Sequence, residues 1–156
     1  MAQSIEEYLN RMGISYKAHL ADGSTVTAQD AAAQLGVPLK MIIKTIVFVD
    51  DKNSALVAII TGERRIDKKK LSAILSVQKV RIASPQDTMS LTGFDAGVVP
   101  PIGHRDDVQT VVDREVMSLN KVFGGSGISK VLIEVDPRDI VRLIHAKVAD
   151  ICEKKV

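Results

Sequence analysis

The stretch that most constrains the fold runs from Lys44 to Thr61: KTIVFVD, the polar turn DKNS, then ALVAIIT. Two apolar runs around a short polar turn predict an antiparallel hairpin. Side chains alternate between the two faces of a strand, yet Thr45 to Val49 reads apolar on both. That is the pattern of a strand covered above and below. Lys44 stands at its entrance, on the same face as Ile46 and Phe48. One reading packs the lysine stem and sends its head to water. The other lines a pocket with the ammonium, where it attracts phosphate or carboxylate more strongly than in water.

The flanking sequence alternates helix and strand signals. Ser4 with Glu7 matches a capping box, and Gly13 closes a first short helix. ISYKAHL (14–20) reads as a strand. Thr27 opens TAQDAAAQLG, whose T-x-x-D spacing caps a helix with Ala31, Ala32 and Leu35 on its packing face and Gly36 at its end. Pro38 starts one further turn. Asp67 caps KKKLSAIL, KVRIA (79–83) is a strand, and Ser84-Pro85 begins another helix. QTVVD and NKVF read as short strands, GGSG (124–127) as a loop, and KVLIEV as a strand. Asp136-Pro137 opens a last amphipathic helix with Ile140, Leu143 and Ile144 on one face. Without repeat, low-complexity segment or linker, residues 1–156 read as one domain. The expected class is α/β: a mixed, mostly antiparallel sheet forming a partly closed barrel, flanked by short helices.

Composition narrows the function classes. Hydrophobic residues make up 46% and charged residues 26%, which places the chain with ordinary globular proteins rather than disordered ones. ALVAII, the longest apolar run, is too short to span a membrane, and the N-terminus carries no secretory signal core. The one cysteine, Cys152, excludes an internal disulfide and fits a reducing cytoplasm. A net charge of +2 differs from a dedicated nucleic-acid coat protein. With aromatics at 3% and no tryptophan, base-stacking single-strand binders are disfavoured. A folded RNA gripped locally through phosphates stays open.

Beyond Lys44, TGFDAGVVPPIGH (92–104) concentrates glycine and proline around apolar residues. Such a segment is either a rigid turn or a set of backbone N–H groups aimed one way, as an oxyanion site needs. GGSG lacks the Gly-Lys-Ser/Thr of a phosphate loop. His19, His104 and His145 show no metal-ligand spacing, and His104 with Asp106 and Asp107 reads as a solvated loop sooner than a metal site. No GxSxG and no Cys–His pairing is present, which argues against a covalent nucleophile. ERRIDKKK (63–70) reads as a solvated helix start, with a phosphate-contacting patch at Arg64, Arg65 and Lys68 to Lys70 as the alternative.

Taken in order, TAQDAAAQLGV…IIKTIVF, LVAIITGERRIDKKKL, TGFDAGVVPPIGH and VFGGSG…LIEVDPRDI resemble the YbaK/prolyl-tRNA synthetase-associated editing domains, from about Tyr16 to Ile151. The length leaves no room for a synthetase catalytic domain, so the chain resembles a free-standing member. The resemblance implies an α/β mixed barrel that hydrolyses the ester of mischarged tRNA, typically tRNA(Pro) carrying alanine or cysteine, without metal or organic cofactor. It implies tRNA, and prolyl-tRNA synthetase, as partners. By position it assigns Lys44 to the terminal adenosine phosphate. Gly97, Val98, Val99 and Pro101 form the G-x-x-x-P element whose amides meet the carbonyl, and Gly124 and Gly125 border the pocket. Thr45, Phe48, Ile102 and Gly103 complete the expected substrate contacts. Val98 departs from the second glycine of several relatives, and either narrows the pocket or turns outward. The competing readings are a non-catalytic module that docks tRNA or a synthetase, and a hydrolase of a small ester.

Overall fold

The computed structural model describes residues 5–105 and 107–155. In chain order the elements are α1 (Ile5–Arg11), β1 (Lys17–Leu20), α2 (Ala28–Leu35), β2 (Ile43–Asp50), β3 (Ala55–Thr61), α3 (Lys68–Leu75), β4 (Val80–Ile82), α4 (Pro85–Thr92), β5 (Gln109–Asp113), β6 (Val122–Gly125), β7 (Val131–Val135), α5 (Pro137–Ile144) and β8 (Lys147–Ala149). Single 3-10 turns occupy Leu39–Met41 and Val116–Ser118.

The central hairpin forms as expected, with Ile43 opposite Thr61 and Val49 opposite Ala55. Both of its faces are buried, in two different cores. Val47, Val49, Val57 and Ile59 pack with Leu9, Val122, Ile133 and Ile140. Phe48, Leu56, Ala58 and Ile60 pack with Leu71 and Leu75 of α3 and with Ile151 and Cys152. The period of two therefore separates α1, α5 and the β6–β7 pair from α3. A third small cluster joins Ala31 and Ala32 of α2 to Ile42, Phe123 and Leu132.

The strands make a five-stranded sheet, β4-β2-β3-β5-β8, and a three-stranded sheet, β1-β7-β6. Pairing is mixed and mostly antiparallel, with β3–β5 and β5–β8 parallel. The expected barrel closure is not seen. A barrel needs its hydrogen-bonded ring completed, whereas among the described residues the two sheets pack face to face and are joined by one backbone bridge, Ile42 to Phe123. The break lies along β2, which meets β4 only from Phe48 to Asp50.

The predicted caps are in place. Asp30 N donates to Thr27 Oγ1 (3.0 Å), Lys69 N to Asp67 Oδ1 (3.0 Å), Asp87 N to Ser84 Oγ (3.0 Å) and Arg138 N to Asp136 Oδ1 (2.9 Å). Each satisfies a helix N–H that has no partner within the helix. Ser4 lies outside the described residues. The C-terminal segment is strapped across the five-stranded sheet. Ile151 N donates to the buried Asp113 carboxylate (3.0 Å), Asp67 N to Ile151 O (2.8 Å) and Glu153 N to Arg65 O (2.9 Å). Among the described residues no helix is long and apolar enough to cross a membrane.

Candidate functional site

The unpaired part of β2 faces a cavity of about 420 Å³. One wall is β2 from Ile43 to Val47. A second is the N-terminal end of α2, with Thr27, Ala28 and the exposed Val26 before it. Ala96, Gly97 and Val99 close a third side, with Ile82, Ala83 and Gly125 completing the rim.

Lys44 lies in this wall. Its Nζ donates to Arg64 O (2.7 Å). An ammonium has three N–H donors, so two remain for a ligand. Burial pushes its pKa below the ordinary lysine value, and the Arg65 charge adds to that. Arg64 is itself held, through Nη1 to Glu115 (2.6 Å) and Nη2 to Glu153 O (2.7 Å). The carbonyl that anchors Lys44 is thus fixed by the C-terminal strap.

Glycine at two points lets the other wall approach. Gly97 has φ +92, a conformation L side chains rarely adopt. A Cβ on Gly125 would meet Val98 O and Val99 O at 2.7 Å, and one on Gly124 would meet Ile43 Cγ1 at 3.1 Å. The two glycines lie within β6 rather than in the expected loop, and their bare backbone lets that strand lie against the Val98–Pro101 segment. Gly127 N donates to Val98 O (2.8 Å) and Val98 N to Asp95 O (3.2 Å), which locks the turn. The N–H groups of Gly97 and Val99 have no hydrogen-bond partner among the described residues. His104 fastens the far end: its Nε2–H donates to Pro100 O (2.7 Å).

Of the residues expected in the site, Lys44, Thr45, Gly97, Val99 and Gly125 line the cavity. Phe48 does not. It is fully buried on the α3 side, because the cavity opens at the first half of β2. Ile102 is buried in the first core, and Gly103 packs near Ile5 and Tyr8. Pro101, Gly124 and Val98 are not among the residues lining the cavity, and a Cβ on Gly124 would lie 3.5 Å from Pro101 Cδ. In the proposed phosphate patch, Arg64 and Lys70 are engaged internally, Lys70 with Asp150 (3.0 Å) and Cys152 O (2.8 Å). Arg65, Lys68 and Lys69 are exposed.

The sequence reading missed the α2 end, Ile82 and Gly62 as lining. Gly62 had a readable signal, a glycine closing an apolar strand. A Cβ there would meet Leu39 O at 2.9 Å and Ala28 Cβ at 3.0 Å, so α2 could not sit where it does.

The structure is a mixed α/β scaffold with a lysine, a glycine-rich turn and an open strand edge around one cavity. The chain belongs to the aminoacyl-tRNA editing domain family, whose profile matches residues 22–143. It is 29% identical over 130 residues to the Enterococcus faecalis protein named "Putative Cys-tRNA(Pro)/Cys-tRNA(Cys) deacylase EbsC", covering 83% of this chain and 79% of that one. It is 33% identical over 113 residues to the proline--tRNA ligase of Desulforamulus reducens, covering 72% of this chain and 20% of the ligase. Among solved structures, the hypothetical protein APE2540 superposes with a TM-score of 0.91 at 32% identity, covering 97% of this chain and all of that one. A structure titled "Crystal structure of a putative trans-editing enzyme for prolyl tRNA synthetase" superposes with a TM-score of 0.86 at 29% identity, covering 99% of each chain.

Proposed function

We propose that the protein is a trans-acting aminoacyl-tRNA deacylase that removes alanine or cysteine from mischarged tRNA(Pro) in the cytoplasm, without a metal. The observation that carries this reading is one cavity lined by Lys44 together with Gly97 and Val99, whose N–H groups have no hydrogen-bond partner among the described residues. The names of the EbsC relative and of the trans-editing structure support it.

In this mechanism Lys44 takes the phosphate of the 3′-terminal nucleotide and sets the ester in register. Water adds to the ester carbonyl, and the Gly97 and Val99 amides receive the developing oxyanion. The neighbouring ribose hydroxyl orients the water. The ester C–O bond breaks, the 3′ oxygen takes one proton of the water, the other passes to solvent, and the amino acid leaves as its carboxylate. An aminoacyl ester is activated, so positioning and oxyanion stabilisation suffice without a nucleophilic side chain. Cys152 is unsuited to that role: it is fully buried, and burial followed by nearby Asp113 pushes its thiol up to about 12.

The test is single-turnover hydrolysis of tRNA(Pro) charged with alanine, cysteine or proline, by the protein and by Lys44→Ala. The expected result is loss of alanine or cysteine with proline spared. The variant is expected to be about one to two decades slower, since a charge-assisted contact contributes about 1.5–3 kcal/mol. An undiminished rate in a folded Lys44→Ala protein excludes lysine from the mechanism. Binding of these tRNAs without hydrolysis supports the docking-module reading instead.

A further inference from the structure

The edge of β2 is left open over the cavity, and its register says which groups it presents. Gly62 N donates to Ile42 O (2.6 Å), and Asp50 N donates to Ser54 O (3.0 Å). With Ile43 opposite Thr61, the even-numbered residues of β2 exchange hydrogen bonds with β3. The odd-numbered residues turn their N–H and C=O the other way. The bond from Ala83 N to Val47 O (2.9 Å) agrees with this. Between the Ile42 bridge to Phe123 and the Val47 carbonyl taken by Ala83 N, however, β2 is in register with neither β4 nor β6, since the β4 ladder starts at Phe48. Both main-chain groups of Thr45 therefore lack a strand partner on the cavity side. Thr45 Oγ1, on the same residue, is buried with no hydrogen-bond partner among the described residues.

An unpaired strand edge is a template for an extended ligand. What enters this cavity is constrained by its charge. None of the described lining residues is acidic, and Lys44 brings a positive charge. An ammonium carried into such a space needs oxygen acceptors, because a charge buried without hydrogen bonds is strongly disfavoured. Thr45 lines the cavity and offers its carbonyl at the open edge. The Lys44 side chain leaves β2 from the opposite face and is tied to Arg64 O, which keeps the two cations apart.

We infer that the open edge of β2 at Thr45 is a subsite for the free α-ammonium of an aminoacyl ester, so that the protein discriminates against esters whose amine is blocked or absent. This rests on the proposed function and adds a chemical requirement to it: the substrate class is unblocked aminoacyl esters, with N-acylated and peptidyl esters excluded.

The experiment changes the substrate and leaves the protein intact. The charge used is whichever of alanine, cysteine or proline turns over fastest on tRNA(Pro). Its free form, its N-acetyl form and its α-hydroxy acid counterpart are compared in single turnover. Each rate is divided by that ester's spontaneous hydrolysis rate, because the ammonium itself activates the ester. The expected result is a normalised rate at least about tenfold lower for the N-acetyl ester, with the hydroxy ester also reduced. Equal normalised rates for free and blocked esters overturn this inference and leave the deacylase reading standing. No turnover of any free aminoacyl ester overturns the deacylase reading and this inference together.

Discussion

His104 shows how a single side chain is assigned by its surroundings. A carbonyl only accepts, so the contact to Pro100 O places the proton on Nε2. Nδ1 is buried without a partner among the described residues. Burial pushes the pKa below the ordinary histidine value, outweighing the opposing bond to Pro100. The folded state thus prefers neutral His104, while the unfolded chain protonates near pH 6.5. The unfolded state binds more protons between these two values, so the contribution is full above about pH 6.5 and is lost as pH falls through the folded pKa. Thermal denaturation from pH 7.5 to 5.5 is expected to show a larger fall in Tm for the protein than for His104→Gln. Equal slopes would remove His104 as the source. Gly125 makes a different demand. A methyl at 2.7 Å from two backbone oxygens forces β6 away from the Val98–Val99 turn. Gly125→Ala is expected to cost about 1–3 kcal/mol in denaturant unfolding and to depress deacylation beyond that of a surface control. In Gly97→Ala the methyl meets nothing within 4 Å, so only the φ of +92 resists it, at about 1–2 kcal/mol.

At the scale of elements, α2 is held by few contacts and stands against the cavity. Its packing face is Ala31 and Ala32, with Leu35 partly buried, and its start depends on Thr27 Oγ1. Thr27→Ala is expected to lower stability by about 0.5–2 kcal/mol and to raise KM, since Thr27 and Ala28 line the site. Thr27→Ser should restore both. Recovery of stability without recovery of KM would mean that the Thr27 methyl, rather than the cap, matters to the ligand. The caps, the hairpin and most strands were legible because each rests on local chemistry: a hydroxyl or carboxylate before a helix, or an apolar run between turns. β8 was not, because Lys147–Ala149 is three residues long and is defined by β5 beside it. The partly closed barrel was not legible for the same reason, since strand order across the gap beside β2 depends on long-range pairing. The G-x-x-x-P and GG segments were legible as glycine-rich. That they press on one another was not, because Gly97 and Gly124 are 27 positions apart in the chain.

For the whole molecule, the question is how a protein of net charge +2 would hold the tRNA that the proposed function requires. Several of its bases are committed internally: Arg64 to Glu115, Lys70 to Asp150, Arg138 to Asp136. Arg65, Lys68 and Lys69 are exposed, and they follow directly after Gly62 and Arg64, whose backbone borders the cavity or anchors Lys44. A tRNA end seated at Lys44 brings its next phosphates to this segment. Each neutralised phosphate contributes about 0.7–0.9 to the slope of log K against log salt. Four bases therefore predict a slope of about −2.8 to −3.6 for the protein. Replacing Arg65, Lys68 and Lys69 by alanine is expected to bring it toward −1 while leaving the saturated single-turnover rate intact, because none of the three lines the cavity. Filter-binding titrations of uncharged tRNA at several salt concentrations measure the slope, and saturated deacylation measures the rate. An unchanged slope in the triple variant would place the tRNA body on another face. A lost saturated rate would show instead that these side chains position the ester.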